Sequence, residues 1–472
     1  LRTPSNLYIW QHLDEVHTSG DCQTTSHLID AWYDQIRRNS DQNGVSESVV
    51  RNTLTDTVQR LDQTGRLYLP ERILDVDKAG LDYLISAEML VRDDGKIGFA
   101  HQSIFDYFVS KRMMEKFYDN CSIEEITGTR EHQTPSKRYQ IQMFLQNLLE
   151  CSSGDFVQAG KAMLESYQVR YYVKFLFYEL LGQIQKPDEV IRDFILENCE
   201  EEPYAEKLIS QVFMGNHGMI HVLLKEGILQ KWYEDPDKKE QVFVLLRSVG
   251  EELDDEDAAF IRKNAFRNAE DDRKFADCFW YSVAFECDAI FELRMEFYEK
   301  YPELQEQIYI EKEMNDQKSC RRKIRLLEVC LKNKKSLHTD EWFQQDDEID
   351  RENAIYAIRQ LIKYLPAGKA WEIRYGDWSE RKISEYTCQR TAVDLLKKAF
   401  KTMALKDSEE FWNVCKIYMK AESLVKNEII LYGLRFLPEE HSDQIMEYLA
   451  LAPEENCREY TSGERNELNY AK

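Results

Sequence analysis

The sequence predicts a mainly α-helical protein, with a winged-helix domain followed by an irregular solenoid of α-helical repeats of tetratricopeptide or HEAT type. Two amphipathic stretches precede a pair of short β-type runs around Asp94-Gly95, which is a hairpin turn signal. Residues 121–472 then show amphipathic stretches separated by short breaks and no strand pattern. We therefore expect three regions: helices in 1–40, a winged-helix domain in 41–120 and helical repeats in 121–472.

Each element of the first 120 residues has its own signal. Pro4 is well placed to begin a helix, because the fixed φ of proline suits the first helical position. Ser46 or Ser48 caps an amphipathic helix. A short extended segment (RLYLPERIL), a second helix (KAGLDYLISAEML) and the hairpin LVRDDGKIGFAH follow. Helix, short strand, helix and hairpin is the order of a winged-helix module.

Composition and charge exclude several classes of protein. The 472 residues carry a formal charge of −24, which repels phosphate backbones, so nucleic acid is not an expected partner. The eleven cysteines form no CxxC pair and indicate reduced thiols, as in a cytoplasmic protein. No apolar run is long enough for a membrane span, so no membrane partner is expected.

The stretch FAHQSIFDYFVSKRM places His101 at a junction between a strand and a helix. Helical spacing predicts that Gln102, Asp106, Ser110 and Lys111 lie on the polar face of that helix. The N-terminus of a helix favours anions, and an imidazole can add a donor there. The alternative is a junction histidine that is hydrogen-bonded to a nearby carbonyl.

This stretch resembles the end of the winged-helix domain in STAND NTPases, the group that includes NACHT proteins, animal NLRs and bacterial AVAST antiviral proteins. The Asp-Tyr-Phe form is most similar to the bacterial branch. The matching positions are Phe99, His101, Ser103, Phe105, Asp106, Tyr107 and Phe108. The resemblance implies that His101 senses the terminal phosphate of bound ADP and holds the winged helix against the nucleotide domain.

The resemblance extends to the first residues. LRTPSNLYIW is similar to the segment after the NTPase core of this family, with Arg2 where many relatives have glycine. It implies that 1–40 ends the helical domain after that core and that Pro4 packs on the adenine. No GxxxxGK[ST] loop occurs in the chain. We therefore expect no catalytic set here, an ATP-binding core upstream of Leu1 that holds ATP or ADP with Mg²⁺, and an N-terminal effector such as a nuclease.

The resemblance also implies partners. In the family, the repeats capture a trigger, ADP gives way to ATP, and the protein self-associates to switch on its effector. For the AVAST branch the trigger is a phage protein of portal or terminase type, and we expect its binding surface within about 190–472. Two alternatives stay open: a STAND-type transcription regulator with a small-molecule inducer, or a passive helical scaffold.

Other features favour structural interpretations. The basic stretch KSCRRKIRLLEVCLKNKKSL (318–337) is expected to be a solvated helix face paired with acidic neighbours rather than a nucleic-acid site. His217 and His221 are spaced i,i+4 but lack the glutamate of HExxH, so we expect ordinary helix histidines and no metal site. The tryptophans scattered through the repeats are expected mostly in the core, with an exposed pair as a possible protein-binding anchor.

Overall fold

The protein is mainly α-helical with one small sheet. A computed structural model describes residues 4–13, 24–279, 287–304, 320–333, 348–365, 380–418 and 423–451. The chain forms two compact units, 1–226 and 227–472. The predicted boundaries at residues 40 and 120 both lie inside the first unit and stay predictions.

The first unit begins with two helices, α1 (Pro4–Gln11) and α2 (Thr25–Ser40). The side chain of Thr24 caps α2 by accepting a hydrogen bond from the backbone N–H of His27. Apolar residues at helical spacing bury one face of α2, including Trp32, which is 2% exposed.

A three-stranded antiparallel sheet follows, within a run of three helices. In chain order the elements are α3 (Glu47–Thr64), β1 (Tyr68–Pro70), α4 (Lys78–Ser86), β2 (Leu90–Asp93), β3 (Lys96–Phe99) and α5 (Gln102–Tyr118). The order of the strands is β1-β3-β2. The predicted hairpin at Asp94-Gly95 is confirmed, since β2 pairs with β3 and both turn residues have positive φ, 46° and 69°.

The helix α5 is buried on both sides, so the predicted polar face is wrong at two positions. Asp106 is 2% exposed and Ser110 is fully buried. The cause is α7 (Pro135–Cys151), which packs along α5. Gln140 of α7 donates to Asp106 Oδ1 at 2.7 Å, and Asn147 donates to Ser110 Oγ at 3.2 Å. The polar side chains on this face are therefore used for helix packing instead of hydration.

Further helices complete the first unit. They are α6 (Ile123–Thr127), α8 (Ser153–Glu165), α9 (Tyr171–Leu181), α10 (Glu189–Asn198), α11 (Tyr204–Leu208) and α12 (His217–Lys225). Asn216 joins two of the turns between them, because its amide donates to the carbonyls of Gly182 and Ile184 at 2.8 and 3.0 Å.

The described residues of the second unit are helices and their connections. The helices are α13 (Ile228–Glu234), α14 (Lys239–Val249), α15 (Asp255–Asn264), α16 (Ala269–Asp277), α17 (Asp288–Lys300), α18 (Cys320–Asn333), α19 (Arg351–Leu361), α20 (Glu380–Lys406), α21 (Ser408–Tyr418), α22 (Leu424–Leu434) and α23 (Ser442–Leu451).

Many polar side-chain contacts of this unit join residues that are 32 to 35 positions apart. Examples are Gln230–Asn264, Lys239–Asp271, Glu240–Lys274, Arg262–Glu296, Asp288–Arg322, Glu299–Lys332 and Glu328–Lys363. Between residues 230 and 363, side chains of contacting helices, such as α13 with α15 and α14 with α16, thus meet at a nearly constant interval along the chain. This regularity was not found in the sequence.

Within the described parts of the chain, no helix combines the length and the apolar character that a membrane crossing requires.

Candidate functional site: the junction at His101

His101 lies between β3 and α5, as the sequence predicted. Its backbone is extended (φ −136°, ψ 141°) and it occupies the N-cap position of α5. Its side chain does not cap the helix, and its carbonyl accepts from the N–H of Ile104 at 3.1 Å. The first N–H groups of a helix lack the usual partners four residues earlier within the helix, so His101 stands beside a cluster of backbone donors.

The imidazole of His101 contacts an aromatic ring of α1. The ring centroids of Tyr8 and His101 are 4.6 Å apart, and the rings meet at 66°. Among the described residues, neither ring nitrogen of His101 has a hydrogen-bond partner. The bond to a neighbouring carbonyl, which the alternative interpretation requires, is therefore not found there.

Tyr8 belongs to a cluster that joins α1 to the loop between α4 and β2. Its hydroxyl donates to the backbone carbonyl of Glu88 at 2.9 Å. His12, one turn later on α1, approaches the Glu88 carboxylate with Nε2 at 2.9 Å and the Tyr8 carbonyl with Nδ1 at 2.7 Å. Trp32 of α2 packs edge-on to Tyr8.

Burial and charge act together on this cluster. Burial, followed by the nearby Glu88 carboxylate, raises the pKa of Tyr8, so its hydroxyl stays a donor. Glu88 has a positive φ of 59°, which is uncommon for a residue other than glycine. The contacts of Tyr8 and His12 with Glu88 therefore hold a conformationally unusual residue against α1.

A second polar group at the start of α5 lacks a partner. Ser103 Oγ is buried and has no hydrogen-bond partner among the described residues. Buried hydroxyl groups in folded proteins usually have one. Two residues of the FxHxS pattern, His101 and Ser103, thus leave hydrogen-bonding capacity unused at the N-terminus of a helix of 17 residues.

Asp106, the acidic residue of the motif, is buried and contributes to helix packing. Burial raises the pKa of Asp106 to about 6, against the opposing hydrogen bonds from Gln140 and Gln102. Tyr107 is also buried, and its hydroxyl meets the ammonium of Lys111, which pairs with Asp30 of α2 at 2.7 Å. These two residues tie α5 to α7 and α2, whereas His101 and Ser103 are the polar residues of the motif that have no hydrogen-bond partner among the described residues.

Pro4 is the first residue of α1, one helical turn before Tyr8. Nothing in the described structure tests its packing on adenine. It does share with Tyr8 the helix that contacts His101, so the two predicted site residues belong to adjoining elements.

The basic stretch and the histidine pair lie on helices and make the following contacts among the described residues. In α18, the basic side chains meet acids of α17, since Arg322 pairs with Asp288 and Arg325 with Glu292 and Glu299. The acidic stretch 344–348 that was expected as partner lies almost wholly outside the described residues. His217 and His221 contact each other along α12, with ring centroids 4.0 Å apart.

The tryptophans follow the core prediction where they are described. Trp232 and Trp412 are buried. Trp280, Trp342, Trp371 and Trp378 lie outside the described residues, so the expected exposed pair stays a prediction.

Sequence reasoning missed Tyr8, His12 and Glu88. Tyr8 and His12 are spaced i,i+4 on the helix predicted to begin at Pro4, which is the one available signal that they share a face. No protein-family model, curated protein or solved structure matches the chain.

Proposed function

We propose that this chain is the regulatory and sensor part of a STAND NTPase of the bacterial AVAST type. In this proposal 1–40 ends the helical domain behind the ATPase core, 41–120 is a winged-helix domain that reads the nucleotide state, and 121–472 is a helical-repeat sensor. A phage protein of portal or terminase type is the trigger, and the assembly works in the cytoplasm. ADP or ATP with Mg²⁺ is bound mainly by the core of the parent protein.

The observation that carries the proposal is the unpartnered imidazole of His101. It stands at the N-terminus of α5, beside the first backbone N–H groups of the helix and the unpartnered Ser103 Oγ. Such a place suits a phosphate oxygen, because the helix dipole and the N–H donors favour negative charge. The second part of the proposed role is to hold the winged-helix region against the elements before it. The contact of His101 with Tyr8 supports this part, since it links the junction to the first helix.

Two features of the fold support the winged-helix and repeat assignments. The element order from α3 to α5 and the strand order β1-β3-β2 agree with a winged-helix module. The interval of 32 to 35 residues between many bonded side chains from 230 to 363 is close to the ~34-residue period of tetratricopeptide repeats. Stacked repeats build extended surfaces that can recognise a folded protein.

DNA binding by the winged-helix region is less well supported. Arg92 of β2 is bound by two carboxylates, Glu71 at 2.9 Å and Asp82 at 2.7 Å. Asp82 lies on α4, the helix that would have to enter the major groove. A phosphate backbone would have to displace these contacts against a strongly acidic chain.

The proposal is tested in the full-length protein with His101→Ala and the control His27→Ala, an exposed histidine on α2 that pairs with Glu150. Loss of the phosphate contact should give effector activity without trigger in His101→Ala only. Removal of about 190–472 should abolish the response to trigger while ATP binding remains. A silent His101→Ala variant with normal folding, together with a normal response after the deletion, would refute the proposal.

A further inference from the structure

A cleft of about 590 Å³ lies within the first unit, along α5 from Gln102 to Lys116. Its walls are the C-terminal end of α3, one side of α5, and the segment from α6 to α7. The lining side chains include Arg66, Asp106, Arg112, His132, Lys137 and Gln140. This volume falls in the range of about 300–1,000 Å³ that is typical of pockets for small molecules.

Two buried polar atoms of the lining have no hydrogen-bond partner among the described residues. They are Nη1 of Arg112, on α5, and Oε1 of Gln140, on α7. The amide nitrogen of Gln140 donates to Asp106 Oδ1 at 2.7 Å, and this bond fixes which amide atom is left over. A buried polar group without a partner lowers the free energy of unfolding by roughly 1–3 kcal/mol, and by more when it is charged. A ligand that supplies the missing partners would remove this penalty.

The other charged groups of the cleft are mostly engaged. Lys137 pairs with Asp62 at 2.9 Å. Lys116 donates to the backbone carbonyl of Glu125 at 3.0 Å, and the Glu125 carboxylate accepts from the N–H of Ser122 at 2.8 Å. Among the described residues Arg112 has no ion pair, and Glu131 of the lining is exposed to solvent. The buried Arg112 Nη1 therefore favours an anion, and Gln140 Oε1 favours a hydrogen-bond donor.

We propose that this cleft binds a small organic anion, whose carboxylate or phosphate group is held by the guanidinium of Arg112. A planar guanidinium presents its N–H donors in a fork that matches either group. An N–H or O–H group of the same ligand donates to Gln140 Oε1. The site is independent of the proposed function, although α5 carries both Arg112 and, at its N-terminus, the His101 junction.

The test uses the whole chain and two probes for the two head groups, inorganic phosphate and succinate, followed by calorimetry. At least one probe should bind saturably in the millimolar range. Arg112→Gln should weaken that binding by about tenfold or more, as expected for a hydrogen bond to a charged group. Arg112→Lys keeps the charge without the fork and should retain part of the affinity. Arg60→Gln, an exposed arginine of α3 outside the cleft, is the matched control and should bind as the wild type does.

A His101→Ala variant separates this site from the junction. If the probe still binds to the His101→Ala variant but not to the Arg112→Gln variant, the anion site is in the cleft. Binding that is lost in His101→Ala and kept in Arg112→Gln overturns the cleft site and leaves the proposed function standing. No saturable binding of either probe to the wild type also overturns it. If Arg112→Gln does not fold, unchanged affinity in Arg112→Lys decides against the fork contact.

Discussion

The ring of Tyr8 lies against the imidazole of His101, with centroids 4.6 Å apart, although 93 positions separate the two residues in the chain. The hydroxyl of Tyr8 is held by the backbone of Glu88. One aromatic side chain therefore connects the first helix to the residues just before β2 and just after β3, at the open end of the hairpin. In the proposed function, this contact passes the state of the histidine to the helices that precede the winged-helix region.

Two substitutions separate the ring contact from the hydroxyl bond. Tyr8→Phe keeps the ring and loses the bond to Glu88, which is exposed, so the free energy of unfolding should fall by only about 0.5 kcal/mol. Tyr8→Ala also removes the ring, and its ring-current effect on the NMR signals of His101 should disappear. Urea unfolding and histidine-selective NMR measure the two effects. Unchanged His101 signals in Tyr8→Ala would show that the rings are not in contact in solution.

Asp106 should make the stability of the first unit depend on pH. Its folded-state pKa of about 6 lies above its ordinary value of 3.8, so the folded chain holds the proton more tightly than the unfolded chain. The resulting stability is fully present below about pH 4 and is lost as the pH rises through 6. A shift of about two pKa units corresponds to roughly 3 kcal/mol.

Asp106→Asn removes this titration while it keeps an acceptor for Gln140. The variant should therefore exceed the wild type in stability at pH 8, and the difference should shrink toward pH 5. Urea unfolding at several pH values measures it. Asp56→Asn, at an exposed position on α3, is the control and should show no such trend. A constant difference between Asp106→Asn and the wild type across this range would contradict the assignment.

Arg325 of α18 should be a stability residue of the second unit and not a nucleic-acid contact. Its guanidinium meets Glu299 and Glu328 at 2.9 Å and Glu292 at 3.3 Å. Burial opposes its charge, but the three carboxylates raise the pKa of Arg325 above its usual value. Arg325→Gln leaves partly buried acids without their cation and should lower the free energy of unfolding by about 2–3 kcal/mol.

Lys332→Gln removes a more exposed cation that is paired with Glu299. It should lower the free energy of unfolding by well under half as much as Arg325→Gln does. Chemical denaturation compares the two variants. If instead both variants unfold normally and both lose binding to a DNA duplex that the wild type binds, the basic stretch is a nucleic-acid surface.

The local structure around the sheet was predictable because its signals are short-range. Asp94-Gly95 needs only its own two residues to form the turn, and Ser46 caps α3 through a bond three residues away. The burial of Asp106 and Ser110 was not predictable in this way. It depends on Gln140 and Asn147, more than thirty positions later, and helical spacing alone does not show a second helix covering the polar side.

The interval between contacting helices in the second unit could not be predicted from the sequence for a related reason. The contacts that mark it vary along the chain, from an amide pair for Gln230 and Asn264 to ion pairs in which the base comes before the acid, as in Arg262–Glu296, or after it, as in Glu299–Lys332. No one ordered pair repeats at a single spacing, so the sequence shows helices without a period. At the junction, the position of His101 was predictable from the motif, whereas its contact with Tyr8 needed the folded chain.

The most direct test of the proposed contact between His101 and the ADP phosphate is the rate at which ADP leaves the full-length protein, compared between the wild type and His101→Ala. A hydrogen bond from the imidazole to a charged phosphate contributes roughly 1.5–3 kcal/mol, so the account predicts ADP release about ten to a hundred times faster in the variant, with its fold intact. An unchanged rate of ADP release in a correctly folded His101→Ala variant would contradict it and leave His101 a structural residue.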